Sequence, residues 1–114
     1  KVRDPGNKFK EVLFIYKEAY AFNPNNAELN MNMGNCLLYT NEKYDAKKHL
    51  DKALELNKGI SPMLYFYLGQ AEQLAYNWDQ AIKYYRTFEE TAKNRLAAEY
   101  KKISGQYKIN LIKE

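Results

Sequence analysis
The chain has 114 residues, room for one domain with a packed core but not for two. One cysteine excludes an internal disulfide, and one cysteine with one histidine is a poor donor set for zinc. The formal charge is +4, and no stretch of about 18 residues is apolar throughout, so no membrane-spanning helix is expected.

Eleven tyrosines against five glycines and three prolines suit packed helices, whose rings fill gaps while their hydroxyls stay near water. The chain opens on Lys1-Val2-Arg3, without an initiator methionine or a signal peptide. That beginning reads as one domain of a larger protein, with neighbouring domains on the same chain. It leaves the compartment unread.

Residues 1–7 are polar and carry the turn signal Asp4-Pro5-Gly6, the pattern of a loose lead-in. Residues 8–24 place Val12, Ile15, Ala19 and Phe22 at helical spacing on one face. The helix ends at Asn23-Pro24, because the residue before proline is pushed out of helical geometry. With no helix before it, this one is expected to keep an exposed apolar flank.

Residues 26–59 form the next unit. Asn26 is placed to cap a helix running to about Thr40, and Asn41 to cap a second ending near Leu56, with Gly59 as a stop. Residues 61–94 follow the same plan. Ser61-Pro62 is a hydroxyl cap followed by a proline suited to the first helical position, and Leu64, Leu68, Ala71, Leu74 and Ala75 mark the buried face. Tyr76-Asn77 is the turn, with Asn77 and Gln80 spaced as a capping box. The partner helix carries Trp78, Ala81, Ile82, Tyr85 and Phe88 on one side, and Gly69 is expected to let the two helices approach closely. In residues 95–114, Leu96, Tyr100, Ile103, Tyr107 and Leu111 mark one face of a last helix with a weak point at Gly105. That helix is expected to cap the apolar end of a stack.

The two units repeat each other. Gly34 and Gly69 are 35 residues apart, as are Ala46 and Ala81, and Leu50 and Ala53 match Tyr85 and Phe88. Leu68-Gly69 followed by Trp78, Ala81, Tyr85 and Phe88, with the ALELNK ending of the first unit, resembles the tetratricopeptide repeat, a helix–turn–helix unit of about 34 residues. The resemblance implies an all-α, right-handed helical-repeat solenoid of about six antiparallel helices: a half repeat, two full repeats and a C-terminal capping helix. It also implies a concave groove, lined by the first helix of each pair, that docks a peptide or partner segment. Carried onto this chain, the groove residues are Met31, Asn32, Asn35, Tyr39, Met63, Phe66, Tyr67 and Gln70, flanked by Glu28, Leu38 and Gln73. Phe66 and Tyr67 lie off the leucine face, so the core need not consume both. Met31 and Tyr67 stand where a carboxylate clamp needs lysine and asparagine, so that subtype is not expected.

Enzyme chemistry finds no foothold. His49 has no carboxylate or thiol at a useful step and reads as a surface or groove-edge residue. Cys36 reads as a buried, inert thiol. Glu89-Glu90 are adjacent on a helix and diverge, which disfavours paired acid–base work. No phosphate-binding glycine loop or nucleophile motif is present. No catalysis, cofactor or metal is expected.

Six Lys/Arg against two Glu in residues 93–114 make a net +4 at the C-terminal end. A solvated outer face accounts for it, and nucleic acid is not an expected partner, because the basic residues miss the groove. The alternatives to docking are a spacer that positions flanking domains or a helical-repeat nucleic-acid binder. A narrower resemblance, carried by the run YFYLGQAEQLAYNWDQAIKYYRTF and the charged helix after it, is to the repeat modules of bacterial envelope proteins bearing a β-propeller and an OmpA-like domain. It implies a periplasmic or envelope setting, in some members linked to secretion or gliding.

Overall fold
The structure, a computed structural model, describes residues 5–113. It comprises α1 (Pro5–Phe22), α2 (Ala27–Leu37), a 3-10 turn (Lys43–Asp45), α3 (Ala46–Leu56), α4 (Met63–Leu74) and α5 (Trp78–Lys113). No strand occurs among the described residues, and no helix is long and apolar enough to cross a membrane. α2 folds back on α3 and α4 on α5, making two hairpins. α1 packs on α2, α3 packs on α4, and α2 also touches α4.

The expected lead-in is shorter than its composition suggests, because α1 starts at Pro5. A proline at the first helical position gives up only an N–H that has no intrahelical acceptor there. Residues 1–4 lie outside the described part. The buried face of α1 also differs from the expected one. Leu13 is buried, with Val12 and Tyr16 packed partly against the core, whereas Ile15 and Phe22 are 63% and 91% exposed. α1 packs along α2 and reaches α3 through Tyr20, so one narrow strip of it is covered and Phe14, Ile15 and Phe22 face outward.

Local hydrogen bonds explain the other boundaries. The Asn26 side-chain oxygen accepts from the Leu29 N–H at 2.8 Å and opens α2. Asn41 does not cap α3, because the 3-10 turn intervenes. Thr40 braces that turn instead, its hydroxyl donating to the Leu37 carbonyl and accepting from the Glu42 N–H. α4 starts at Met63, with Pro62 in the cap position rather than the first helical one, and Ser61 Oγ accepts from the Met63 N–H at 3.2 Å just before it. At the second turn Tyr76 has φ 62°, a left-handed conformation uncommon for a bulky residue. Asn77 and Gln80 do not form a capping box. The Asn77 amide donates to the Glu72 carboxylate at 3.1 Å, and Gln80 hydrogen-bonds Tyr84 one turn on.

The core is Leu13, Leu37, Leu50, Leu64 and Leu68, closed by Cys36, Ala46, Ala53 and Ala71. Burial pushes the Cys36 thiol up from its ordinary range. In each hairpin a glycine receives a side chain sixteen residues on. A Cβ at Gly34 would come within 2.5 Å of Leu50, and one at Gly69 within 2.5 Å of the Tyr85 ring. Ala46 and Ala81, twelve residues after their glycines, are both essentially buried. The 35-residue echo in the sequence is therefore an echo in contacts.

A buried polar node ties α1, α2 and α3 together, and it reverses the reading of His49 as a surface residue. His49 is only 7% exposed and Asn30 fully buried. The Asn30 amide nitrogen donates to the carbonyls of Pro24 and Asn26, so its oxygen faces His49 Nδ1 at 3.1 Å. An amide oxygen only accepts, so Nδ1 carries the proton. The Tyr20 ring meets the imidazole edge-on, with centroids 5.1 Å apart, and Lys52 lies over the same ring. Burial first, then Lys48 and Lys52, hold the His49 pKa below its ordinary value.

Among the described residues five helices replace the six expected, because α5 runs unbroken through Asn94 and Gly105. Nothing in Lys93–Ala98 stops a helix, and Leu, Arg, Lys and Ala all favour one. Nor does the start of the expected cap cover an apolar end: residues 93–99 are all exposed, Leu96 by 70%. The side chains of Tyr100, Ile103, Tyr107 and Leu111 lie outside the described residues. Among those described, α5 packs on α4 and no other element.

Candidate functional site
The C-terminal ends of α2 and α4, and the turns that follow them, lie side by side. Between them opens a cleft of about 470 Å³, within the range of about 300–1,000 Å³ usual for ligand sites. α2 contributes Leu38 and Tyr39 at its end, and α4 contributes Gln70, Gln73 and Leu74. The turns bring Lys43 and Tyr44 from one hairpin, Tyr76 and Trp78 from the other. Four rings stand largely in solvent: Tyr39, Tyr44, Tyr76 and Trp78 are 52%, 71%, 76% and 54% exposed. So many large apolar groups meeting at one place is a feature of interaction surfaces rather than of ordinary exteriors.

Local geometry holds these rings in position. The left-handed residue Tyr76 turns the chain so that its ring and that of Trp78 meet at 67°, centroids 6.1 Å apart. The pair forms a wall between this cleft and a second, of about 450 Å³, over Asp79 and Lys83. On the other side Lys43 Nζ lies 5.5 Å from the Tyr44 ring centroid, a cation–π contact that steadies both. The floor is polar. Gln73 Oε1 accepts from the Tyr85 hydroxyl at 2.8 Å, which leaves its amide N–H groups for the cleft. Gln70 Oε1 is buried and has no hydrogen-bond partner among the described residues.

Of the groove residues expected from the sequence, Leu38, Tyr39, Gln70 and Gln73 are brought together here. Tyr67 is half-buried against the core near Tyr39 and Cys36, and burial raises its pKa. Phe66 points to α5, its ring 5.3 Å from that of Phe88 and 5.8 Å from that of Tyr85. It belongs to the hairpin's own packing, so the fold consumes it after all. Met31 is half-buried against the core, and Asn32 and Asn35 are half-buried on α2 outside the cleft. Met63 and Glu28 are exposed near the opposite ends of their helices. Lys43, Tyr44, Leu74, Tyr76 and Trp78 were not foreseen as site residues. The available signal was Tyr76-Asn77, an aromatic at a turn where glycine or asparagine is usual.

The arrangement offers flat rings and several hydrogen-bond donors but few groups for chemistry. Among the described residues no cluster of His, Cys, Asp or Glu is placed to hold a metal ion. No protein-family model matches the chain, and no curated protein is significantly similar to it.

Proposed function
We propose that the chain is a non-catalytic protein-interaction module of tetratricopeptide type, docking a peptide segment of a partner protein in the aromatic cleft. The observation that carries this reading is the convergence of Tyr39, Tyr44, Tyr76 and Trp78 on one cleft floored by Gln70 and Gln73. Binding hot spots are enriched in tryptophan and tyrosine. The repeat reading draws support from the two glycine sockets, filled by Leu50 and Tyr85 at the same separation. The contact region lies at the turn end of the hairpins rather than along the whole of α2 and α4.

The test is selection of binding peptides from a displayed random library, followed by titration against variants. Tyr76→Ala and Trp78→Ala should each weaken binding tenfold or more, while exposed Lys102→Ala leaves it unchanged. Affinity should depend weakly on salt. A steep salt dependence with loss of binding in the lysine variant would move the site to the basic end of α5. A library that yields no cleft-dependent peptide would leave the chain a spacer.

A further inference from the structure
We infer that the node joining α1, α2 and α3 is a pH-operated latch: a neutral His49 imidazole keeps α1 docked through Tyr20, and a protonated one releases α1 from the α2–α3 hairpin. Each helix supplies one group. His49 stands on α3 and is 7% exposed. Asn30 on α2 accepts from His49 Nδ1–H at 3.1 Å, and Tyr20 on α1 sets a half-buried ring against the imidazole, centroids 5.1 Å apart. None of the three lines the aromatic cleft, so the latch is separate from the docking site.

The α2–α3 side of the node tolerates protonation. The Asn30 amide nitrogen is tied to the carbonyls of Pro24 and Asn26, so its oxygen stays on Nδ1, and an imidazolium keeps that donor. The second proton goes to Nε2. The α1 side does not tolerate it. The Tyr20 ring keeps water from the imidazole, and a charge is costly to bury without a partner. The Tyr20 hydroxyl is engaged by Lys52 Nζ at 3.3 Å, and the same ammonium lies 5.2 Å from the ring centroid. An imidazolium would be a second cation on one ring.

The charged groups facing His49 are Lys48 and Lys52 on α3, Lys17 on α1 and Asp45 on the 3-10 turn, three cations against one carboxylate. Lys48 and Lys52 share the helix of His49 and stay beside it whether α1 is docked or not. What α1 removes on leaving is the Tyr20 cover and the Lys17 charge. Lys17 is already paired with Glu42 at 3.0 Å, so the cover is the larger part. A docked α1 and a proton on His49 therefore oppose each other, and linkage makes the opposition reciprocal. Burial first, then the lysines, hold the docked-state pKa below the ordinary value. α1 is thus held above about pH 7.5 and loosens as pH falls through about 6.5. It is the element that yields, because it packs along α2 with Tyr20 as its reach to α3. Its release bares Leu13 and the face of α2 beneath it, so acid turns a covered apolar surface into an exposed one.

The test is amide hydrogen exchange by NMR at pH 7.5 and 5.5, corrected for intrinsic rates; the lower value lies below the ordinary imidazole range and above that of carboxylates. The opening constant of the Leu13 and Tyr16 amides should rise several-fold on acidification, with a ceiling of about tenfold. It should stay well above that of the Leu68 and Ala71 amides in α4 at both pH values. His49→Gln, which keeps a neutral N–H for Asn30, should abolish the rise. Tyr20→Ala should move the His49 titration midpoint up toward its ordinary value, and Ile82→Ala, exposed on α5, should leave it in place. A rise that persists in His49→Gln belongs to other groups and overturns the latch. One opening constant shared by α1 and α4 at pH 5.5 overturns it too, since protonation then unfolds the whole chain. So does an unmoved midpoint in Tyr20→Ala.

Discussion
The two glycine sockets make opposite demands on an added methyl group, and that contrast tests the hairpin packing. Gly34→Ala puts a Cβ 2.5 Å from Leu50 Cγ and Cδ2 and 3.3 Å from the Ala46 carbonyl oxygen. Leu50 is fully buried, so it has nowhere to go. Overpacking of this kind costs about 1–3 kcal/mol, against which glycine-to-alanine returns about 1 kcal/mol of helix propensity. The net is a loss of roughly 0–2 kcal/mol. Gly69→Ala meets the Tyr85 ring at 2.5–2.9 Å, but that ring is only half-buried and can swing outward. Its cost is loss of the hydrogen bond to Gln73, about 0.5–1.5 kcal/mol, which the propensity gain largely offsets. Gly34→Ala is therefore expected to melt below Gly69→Ala, by roughly 4–8 °C per kcal/mol of difference. Thermal and urea unfolding of the two variants decide the matter, with an unchanged denaturant slope as the check that folding stays cooperative. A double-mutant cycle adds a second requirement. Leu50→Ala alone should cost about 2–5 kcal/mol, and combining it with Gly34→Ala should cost at least about 1 kcal/mol less than the sum. A Gly34→Ala chain more stable than the parent, or a cycle that adds up, refutes the socket.

Three further predictions rest on other contacts. The folded His49 pKa lies below the ordinary value of about 6.5, so on acidification the unfolded chain takes up the proton first. Stability should be full above about pH 7.5 and fall as pH drops through 6.5 toward the folded pKa; NMR titration of the one imidazole in the chain checks this, and a midpoint at or above 6.5 refutes it. Ala81, 2% exposed, should not accept leucine: Ala81→Leu should cost about 1–3 kcal/mol while exposed Lys83→Leu stays within about 0.5, and equal melting temperatures would break the hairpin. Leu13, 3% exposed, anchors α1, so Leu13→Ala should cost about 2–5 kcal/mol, whereas Leu96→Ala at 70% exposure should cost less than about 0.5; comparable losses in urea melts would restore the capping role of residues after Asn94.

The helical class, the two hairpins and their glycine–alanine register were legible because each has a local signature. Periodicity marks a buried face, and Asn26 and Ser61 carry the hydroxyl or amide that a helix start uses. What stayed hidden depends on which neighbours are present. α1 reads as a helix with one apolar face, but its sequence has apolar residues all round, and only contact with α2 selects Leu13 over Ile15. His49 looks like a surface residue until Asn30, nineteen positions away, supplies a buried acceptor. The sequence reading ends the second unit at residue 94, yet Lys93 and its neighbours favour continuing the helix. The cleft was half legible: the resemblance to a helical repeat implied the residues on α2 and α4, while those on the turns depended on Tyr76 adopting a left-handed conformation.

Each helix packs mainly on the one before it and the one after it, the exceptions being smaller contacts of α4 with α2 and with the 3-10 turn, and of Tyr20 on α1 with α3. For the folding reaction this means that little loop-closure entropy precedes the first rewarding contact. Chains dominated by such local contacts fold in microseconds to milliseconds, faster than sheets of similar size. Either hairpin can serve as a nucleus, since each brings its own glycine socket and buried alanine into register without the other. Growth then proceeds by docking a neighbour onto an existing surface, much as in one-dimensional arrays. α1, packed along α2 and tied to α3 through Tyr20, is the element expected to join last and to open first.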